Sequence, residues 1–286
     1  MYAGTELTTG GNNAAIGHNS LYLTTTGHNN VAIGYESLRS NTTGTKNIGI
    51  GTSALYTCNG NHNIAIGYNA GDAITTADRN IFLGTDAGTS TTTAFSNIGI
   101  GYEALKSCTT AGSNVAIGWA SLKNNTGAYN SALGARTLQA NTSGMNNVAV
   151  GYDALLSNTT GTYNTSVGYQ SLSTITTSSY NTAFGSQVLY NTTSGSQNTG
   201  VGYGALYANT TGTNNVAIGT NTLVDNTTGN NNTGLGHRAL TSCTTGYYNT
   251  GVGKGALGLV STGNFNTAIG ETAGNNITSG SNNIVI

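Results

Sequence analysis

Apolar, small and amide positions recur along this chain with a period close to seventeen. The stretch "NNVAIG" at 29–34 returns as "NNVAVG" at 146–151 and as "NNVAIG" at 214–219, with variants such as "HNIAIG", "SNIGIG" and "QNTGVG" between them. With the closing glycine as position 0, the marks run from Gly17, Gly34 and Gly51 to Gly236, Gly253 and Gly270. The step is 17, twice 16, and a last copy, "NNIVI", reaches Ile286. So tight a period, without larger insertions, predicts stacked identical coils rather than a globular fold.

Position −1 is a large apolar residue in every copy, for example Ile16, Ile33, Leu83, Val150 and Phe184, and position −3 is mostly Val, Ile or Thr. Residues two apart share one face of a strand, which predicts that this face is core. Position −2 between them is Ala, Gly or Ser in fifteen of seventeen copies, Phe82 and Val285 excepted. A strand restricted on both faces is covered on both. The small column predicts a second layer close to the backbone, from the same coil or from another chain. On the second alternative, Glu at Ala116 and Ala149 disrupts assembly.

After the glycine the coil reads roughly Y-x-A-L-x-x-N-T-T-G. Position +4 is Leu in thirteen of sixteen coils and Gly in the rest (Gly71, Gly88, Gly274), and position +8 is Thr in fourteen of sixteen. This predicts two short strands, or one strand and a tight extended arm, with corners at glycines; "YEALKS" and "YDALLS" are also compatible with a helical turn.

Position −4 is Asn in all seventeen copies: Asn13, Asn30, Asn47, Asn63, Asn80, Asn97, Asn114, Asn130, Asn147, Asn164, Asn181, Asn198, Asn215, Asn232, Asn249, Asn266 and Asn283. In a stack every residue meets its own equivalent above and below, so side chains that pair with themselves are retained. Asn does so through amide ladders, and Thr, Ile and Val by packing on a pleated surface. The expected fold is therefore all-β, a parallel β-solenoid (β-roll) of about 17 coils, with residues 1–286 as a single uncapped repeat solenoid. At about 4.8 Å per coil it makes a rod on the order of 80 Å long.

Composition agrees with such a stack. Charged residues make up 6% of the 286 residues and the net charge is −1, because like charges in register repel along a stack. That leaves no basic stripe for nucleic acid. Glycine occurs 43 times and proline never, which preserves every ladder donor. The start "MYAGTELTTGG" has no export signal, and no window approaches a membrane span.

The "N-x-V-A-I-G" copies resemble the head repeats of YadA-type trimeric autotransporter adhesins, and "NNTAIGYxAL…NTTG" is similar to repeats of phage and viral tail-fibre proteins. The resemblance covers the whole chain and implies a parallel β-roll, usually trimeric, with a receptor-binding or structural role. The period here is longer than that of the adhesin head. The sequence carries no coiled-coil stalk, membrane anchor or chaperone domain of those families.

Neither end reads as a cap, whereas solenoids usually finish in polar capping repeats. Placing "NNIVI" of one molecule before "MYAGTELTTGGNNAAIG" of the next puts Met1 at the glycine position, sixteen residues before Gly17. Head-to-tail joining through Met1, Tyr2, Ile284, Val285 and Ile286 into an open filament is one expectation. A fragment, or a segment capped by other chains of a fibre, is the other.

Candidate chemistry is sparse. Cys58, Cys108 and Cys243 all stand at +7 and read as small buried fillers. His18, His28, His62 and His237 fall in different coils, so no metal site is indicated, and no cofactor is expected. Glu36, Asp86, Glu103 and Asp153 share position +2, read as an outward solvated position. "GVGYGAL" and "GVGKGALG" are copies of the repeat, not phosphate loops. Aromatics at +1 (Tyr35, Tyr68, Tyr102, Trp119, Tyr152, Tyr169, Tyr203) form a stripe, either interchain packing or a sugar-stacking surface. Asn41, Asn158, Asn191, Asn209 and Asn226 head formal glycosylation sequons.

These observations point to a non-enzymatic structural fibre protein, extracellular or on a virion surface, whose partners are copies of itself, head to tail and laterally or as a trimer. An adhesive segment binding a cell-surface glycan or receptor is the alternative. An ice-binding solenoid is a third reading, weakened because adjacent Thr residues point to opposite faces. Neither nucleic-acid binding nor membrane insertion is expected.

Overall fold

The computed structural model describes residues 3–286, which form an all-β parallel solenoid without helices and divide into two compact units. Met1 and Tyr2, half of the expected head-to-tail joint, lie outside the described residues. The first unit, Met1–Gly144, holds eight three-residue strands from β1 (Ala14–Ile16) to β8 (Ser131–Leu133). The second, Met145–Ile286, holds eight more, from β9 (Val148–Val150) to β16 (Thr267–Ile269), and the two-residue β17 (Ile284–Val285). Within each unit neighbouring strands are parallel and in register by repeat position, as in Ala14↔Val31 or Thr182↔Thr199. The 16-residue steps keep the register, with Ile48 opposite Ile64 and Val115 opposite Ser131.

Each coil has one strand, and the "Y-x-A-L" arm is neither a second strand nor a helical turn. Its amides alternate between two kinds of bond. The Leu38 amide donates to the Ala54 carbonyl in the next coil at 3.0 Å, while the Asn41 amide turns back to the Leu38 carbonyl at 3.2 Å. This alternation places +2 and +4 in the left-handed region: φ is 55° at Glu36, 49° at Leu38 and 54° at Leu155. A left-handed L-residue costs roughly 1–2 kcal/mol. Full burial of Leu contributes about 1.5–3 kcal/mol, and the ladder bond adds to it, so the conformation is held. Glycine at position 0 is required by a closer constraint. A Cβ on Gly34, where φ is 128°, would stand 2.6 Å from the carbonyl oxygen of Gly51.

The expected core face of the strand is reversed. The small −2 residues point inward and are fully buried (Ala32, Ala65, Ala116, Ala149, Ala217), whereas −3 and −1 face outward and are half-buried or exposed. The interior is thin because the strand is backed by the arm of its own coils. A Cβ on Gly49 would lie 3.1 Å from the Ala54 carbonyl oxygen and 3.3 Å from Leu38 Cγ. Volume comes from the Leu at +4, leaving room for only a methyl or hydrogen at −2. Ala116 and Ala149 therefore contact their own chain, and the layer expected over the small column is the arm rather than another molecule.

Candidate functional site

The asparagine column forms a buried ladder. The Asn47 amide N–H donates to Asn30 Oδ1 at 2.9 Å, and Asn47 Nδ2 donates to the Gly60 carbonyl at 2.7 Å in the next coil. The same pair of bonds recurs at Asn198, with Asn181 Oδ1 at 3.1 Å and the Gly212 carbonyl at 2.8 Å. Asn13 and Asn283 are half-buried, and the column between them is fully buried. Each side chain thus ties its own coil to both neighbours, which satisfies polar groups that would otherwise be buried unpaired.

Position +7 also faces inward. Cys58, Cys108 and Cys243 are free, buried thiols, and burial pushes their pKa up to about 12, 11 and 12. Protonated and enclosed, they act as fillers, not nucleophiles. Asparagines at this position include four of the five sequons. Asn41, Asn158, Asn209 and Asn226 are buried, and their Nδ2 atoms donate to the carbonyls of Gly44, Gly161, Gly212 and Gly229 at 3.1 to 3.2 Å. The folded coil holds these amides away from any glycan-transferring enzyme; Asn191 is half-buried.

Position +2 is not the solvated position expected. Glu36, Asp86 and Glu103 are half-buried and Asp153 is 3% exposed. Lys106 bridges Glu103 at 2.6 Å and Asp86 at 3.5 Å, and Lys123 reaches Glu103 at 2.7 Å. Hydrogen bonds from Lys106 and then Lys123 hold the Glu103 carboxyl below its ordinary pKa. The two neighbouring carboxylates are thus clamped by lysine as a charge ladder, and opposite signs alternate where like charges would repel.

Outside, the +1 aromatics form an exposed column: Tyr35, Tyr68, Tyr102, Trp119, Tyr152, Tyr169 and Tyr203 are 43–55% exposed. Two further aromatic columns escaped the sequence reading. At −5 stand Tyr129, Tyr163, Tyr180, Tyr248 and Phe265, with Tyr163 stacked on Tyr180 at 5.3 Å and Tyr248 on Phe265 at 5.2 Å. At +5 the Arg39 guanidinium lies between Tyr22 and Tyr56, 5.7 and 5.6 Å from the ring centres, and Tyr190 stacks on Tyr207 at 5.3 Å. Counting aromatics at every position of the coil, not only beside the glycine, reveals both columns in the sequence.

The reversed strand leaves an apolar outer face. In the first unit six successive strands present paired large aliphatics: Val31 and Ile33, Ile48 and Ile50, Ile64 and Ile66, Ile81 and Leu83, Ile98 and Ile100, Val115 and Ile117. In the second, Val148, Phe184, Ile218, Leu235 and Ile269 are 39–53% exposed.

Two surface clefts interrupt the second unit, one of about 310 Å³ beside Gly255 and one of about 320 Å³ beside Gly204. The first is lined in part by His237, Arg238 and Lys254, and Lys254 is paired with Glu271 at 2.9 Å. Among the described residues no three His, Cys, Asp or Glu side chains come together as a metal site, and no helix is long and apolar enough to cross a membrane. Comparison with protein-family models, with curated proteins and with solved structures finds no match to the chain.

Proposed function

We propose that the protein is a non-enzymatic structural fibre element, working outside the cell or on a virion, whose partner on the outer strand face is a second copy of itself. The carrying observation is the apolar outer face. Two partly exposed large aliphatics on each of β2 to β7, extended by Ile16 and Leu133 at β1 and β8, form a continuous row on the order of the 800 Å² that each partner of a standard interface buries. Monomers rarely expose contiguous apolar patches beyond a few hundred Å². The rows repeat at the strand spacing of about 4.8 Å, and a partner that packs into them in register must carry rows at the same spacing. Another copy of this chain has them.

Growth along the coil axis into a filament belongs to the same reading. The ladder that joins each coil to the next uses main-chain and asparagine groups common to all coils. An adhesive role is the second reading, favoured by the exposed +1 aromatic column.

Sedimentation of the purified protein at micromolar concentration, paired with cryo-electron microscopy of the same sample, tests the assembly. Dimers, trimers or continuous fibres in which the strand faces meet are the expected result. A monodisperse monomer at all concentrations overturns it.

A further inference from the structure

Both surface clefts have the same origin. Position +2 carries Glu, Asp, Gln, Asn, Arg, Ser, Thr or Ala in every coil but two, and the two glycines are Gly204 and Gly255. Each lines a cleft, because a missing side chain in an otherwise filled column opens a gap between the coils above and below. The gap at Gly204 has a distinct chemistry. Its lining is Gln187, Tyr203, Gly204, Tyr207, Asn221 and Val224, with no charged group.

We propose that the Gly204 cleft is a binding site for a neutral pyranose, as the end or a branch of a glycan. A pyranose ring has an apolar C–H face and a rim of hydroxyls, and the cleft offers a counterpart to each. Tyr203 is 55% exposed, and Tyr207 is braced on one face by Tyr190; together they provide an aromatic wall for the C–H face. Gln187 and Asn221 stand at +2 in the coils on either side, two strand spacings or about 9.6 Å apart. A single ring with hydroxyls at opposite edges bridges such a gap. Each amide combines donor and acceptor, as a hydroxyl pair requires. Neither side-chain amide makes a hydrogen bond among the described residues, and Asn221 Oδ1 lies 2.6 Å from where a Cβ on Gly204 would stand. The amides are therefore available to a ligand. A volume of about 320 Å³ is at the lower end of small-ligand sites and suits one or two rings. Uncharged walls select against sialic acids, uronates and sulfated sugars, whose charge would go unpaired.

The repeat itself supplies variants that close the cleft on the same backbone, with the Asn221 side chain turning aside for a Cβ at position 204. Gly204→Gln installs the residue found at +2 one coil earlier, where Gln187 takes the same left-handed backbone (φ 55° against 63° at Gly204). Tyr203→Thr installs the residue of the next coil, Thr220. The probes are the methyl glycosides of glucose, galactose, mannose and N-acetylglucosamine, followed by saturation-transfer NMR on the full chain. At least one glycoside is expected to bind with a Kd on the order of 1 mM, and both variants to weaken it tenfold or more. Gly255→Gln should leave that binding unchanged. No transfer to any of the four, or equal transfer in Gly204→Gln, overturns the proposal. Neither result depends on whether the outer strand face self-associates.

Discussion

The ring of Phe82 lies 2.5 Å from where a β-carbon on Gly88 would stand, and 3.1 Å from the same point on Gly71. Phe82 is the aromatic exception in the small column, and Gly71 and Gly88 are two of the three exceptions in the leucine column. One packing event explains all three: a ring reaching inward from the strand occupies the space that two leucines leave. Phe82→Ala should therefore destabilise the fold by about 3–5 kcal/mol. Adding Gly71→Leu and Gly88→Leu should recover most of the loss, because the triple variant restores the common repeat. The two leucines added beside an intact Phe82 should instead overpack the interior. Urea unfolding of the full cycle measures the coupling, and simple additivity would refute the account.

Removing one rung of the asparagine ladder should cost more in the middle than at the margin. Asn198→Ala leaves the Asn215 amide without the Asn198 Oδ1 acceptor in a fully buried site, while the Gly212 carbonyl keeps the Asn209 Nδ2 donor. One buried unsatisfied donor costs about 1–3 kcal/mol. Asn13→Ala, at a half-buried rung, exposes its orphaned partners to water and should cost less than half as much. Hydrogen exchange at the Asn215 and Asn30 amides compares the two sites directly.

Asp72 makes stability depend on pH with a definite sign. Burial, with the Asp86 charge adding to it, raises its pKa from 3.8 to about 6, and its Oδ1 has no hydrogen-bond partner. A folded-state pKa above the unfolded value means that the contribution to stability is complete below 3.8 and is lost as pH rises through about 6. At pH 7 the half-exposed carboxylate is a liability of about 1 kcal/mol after allowance for solvent screening. Asp72→Asn should stabilise the protein by that amount at neutral pH and by almost nothing below the ordinary carboxyl pKa. Urea midpoints at the two pH values check it, and an equal gain at both would show that charge is not the cause.

Column reading recovers the period, the parallel register and the asparagine ladder, because each is a property of residues stacked on their own copies. It misplaces the inside of the strand, because large apolar side chains ordinarily mark a core and this interior has room only for Ala32 or Gly49 beside Leu38. The left-handed Leu38 is not legible from propensity, since leucine is a poor residue for that region. The sole trace is that glycine alone replaces leucine at that position, at Gly71, Gly88 and Gly274. The Gly204 cleft is legible only after position +2 is recognised as an outward column whose side chains fill space. Asp72 stands out in the sequence by neither spacing nor neighbours; its shifted carboxyl is a consequence of packing.

The reversal of the strand faces predicts that adjacent residues fail in different ways. Ala217 is fully buried, and Ile218 beside it is 39% exposed on the outer face. Ala217→Glu puts an unpaired carboxylate where only a methyl fits, and should unfold the coils around it whatever the state of association. Ile218→Glu and Leu235→Glu put their charges toward solvent in an isolated chain. The circular dichroism spectrum and urea midpoint of this double variant should stay close to the parent's, while its sedimentation coefficient falls to that of the monomer. Opposite carboxylates brought together by a second copy would repel, so the effect should weaken at low pH as they protonate. Unchanged assembly of the double variant would place the interface elsewhere on the coil. Loss of fold in the same variant would mean that the outer row supports the monomer as well as the assembly.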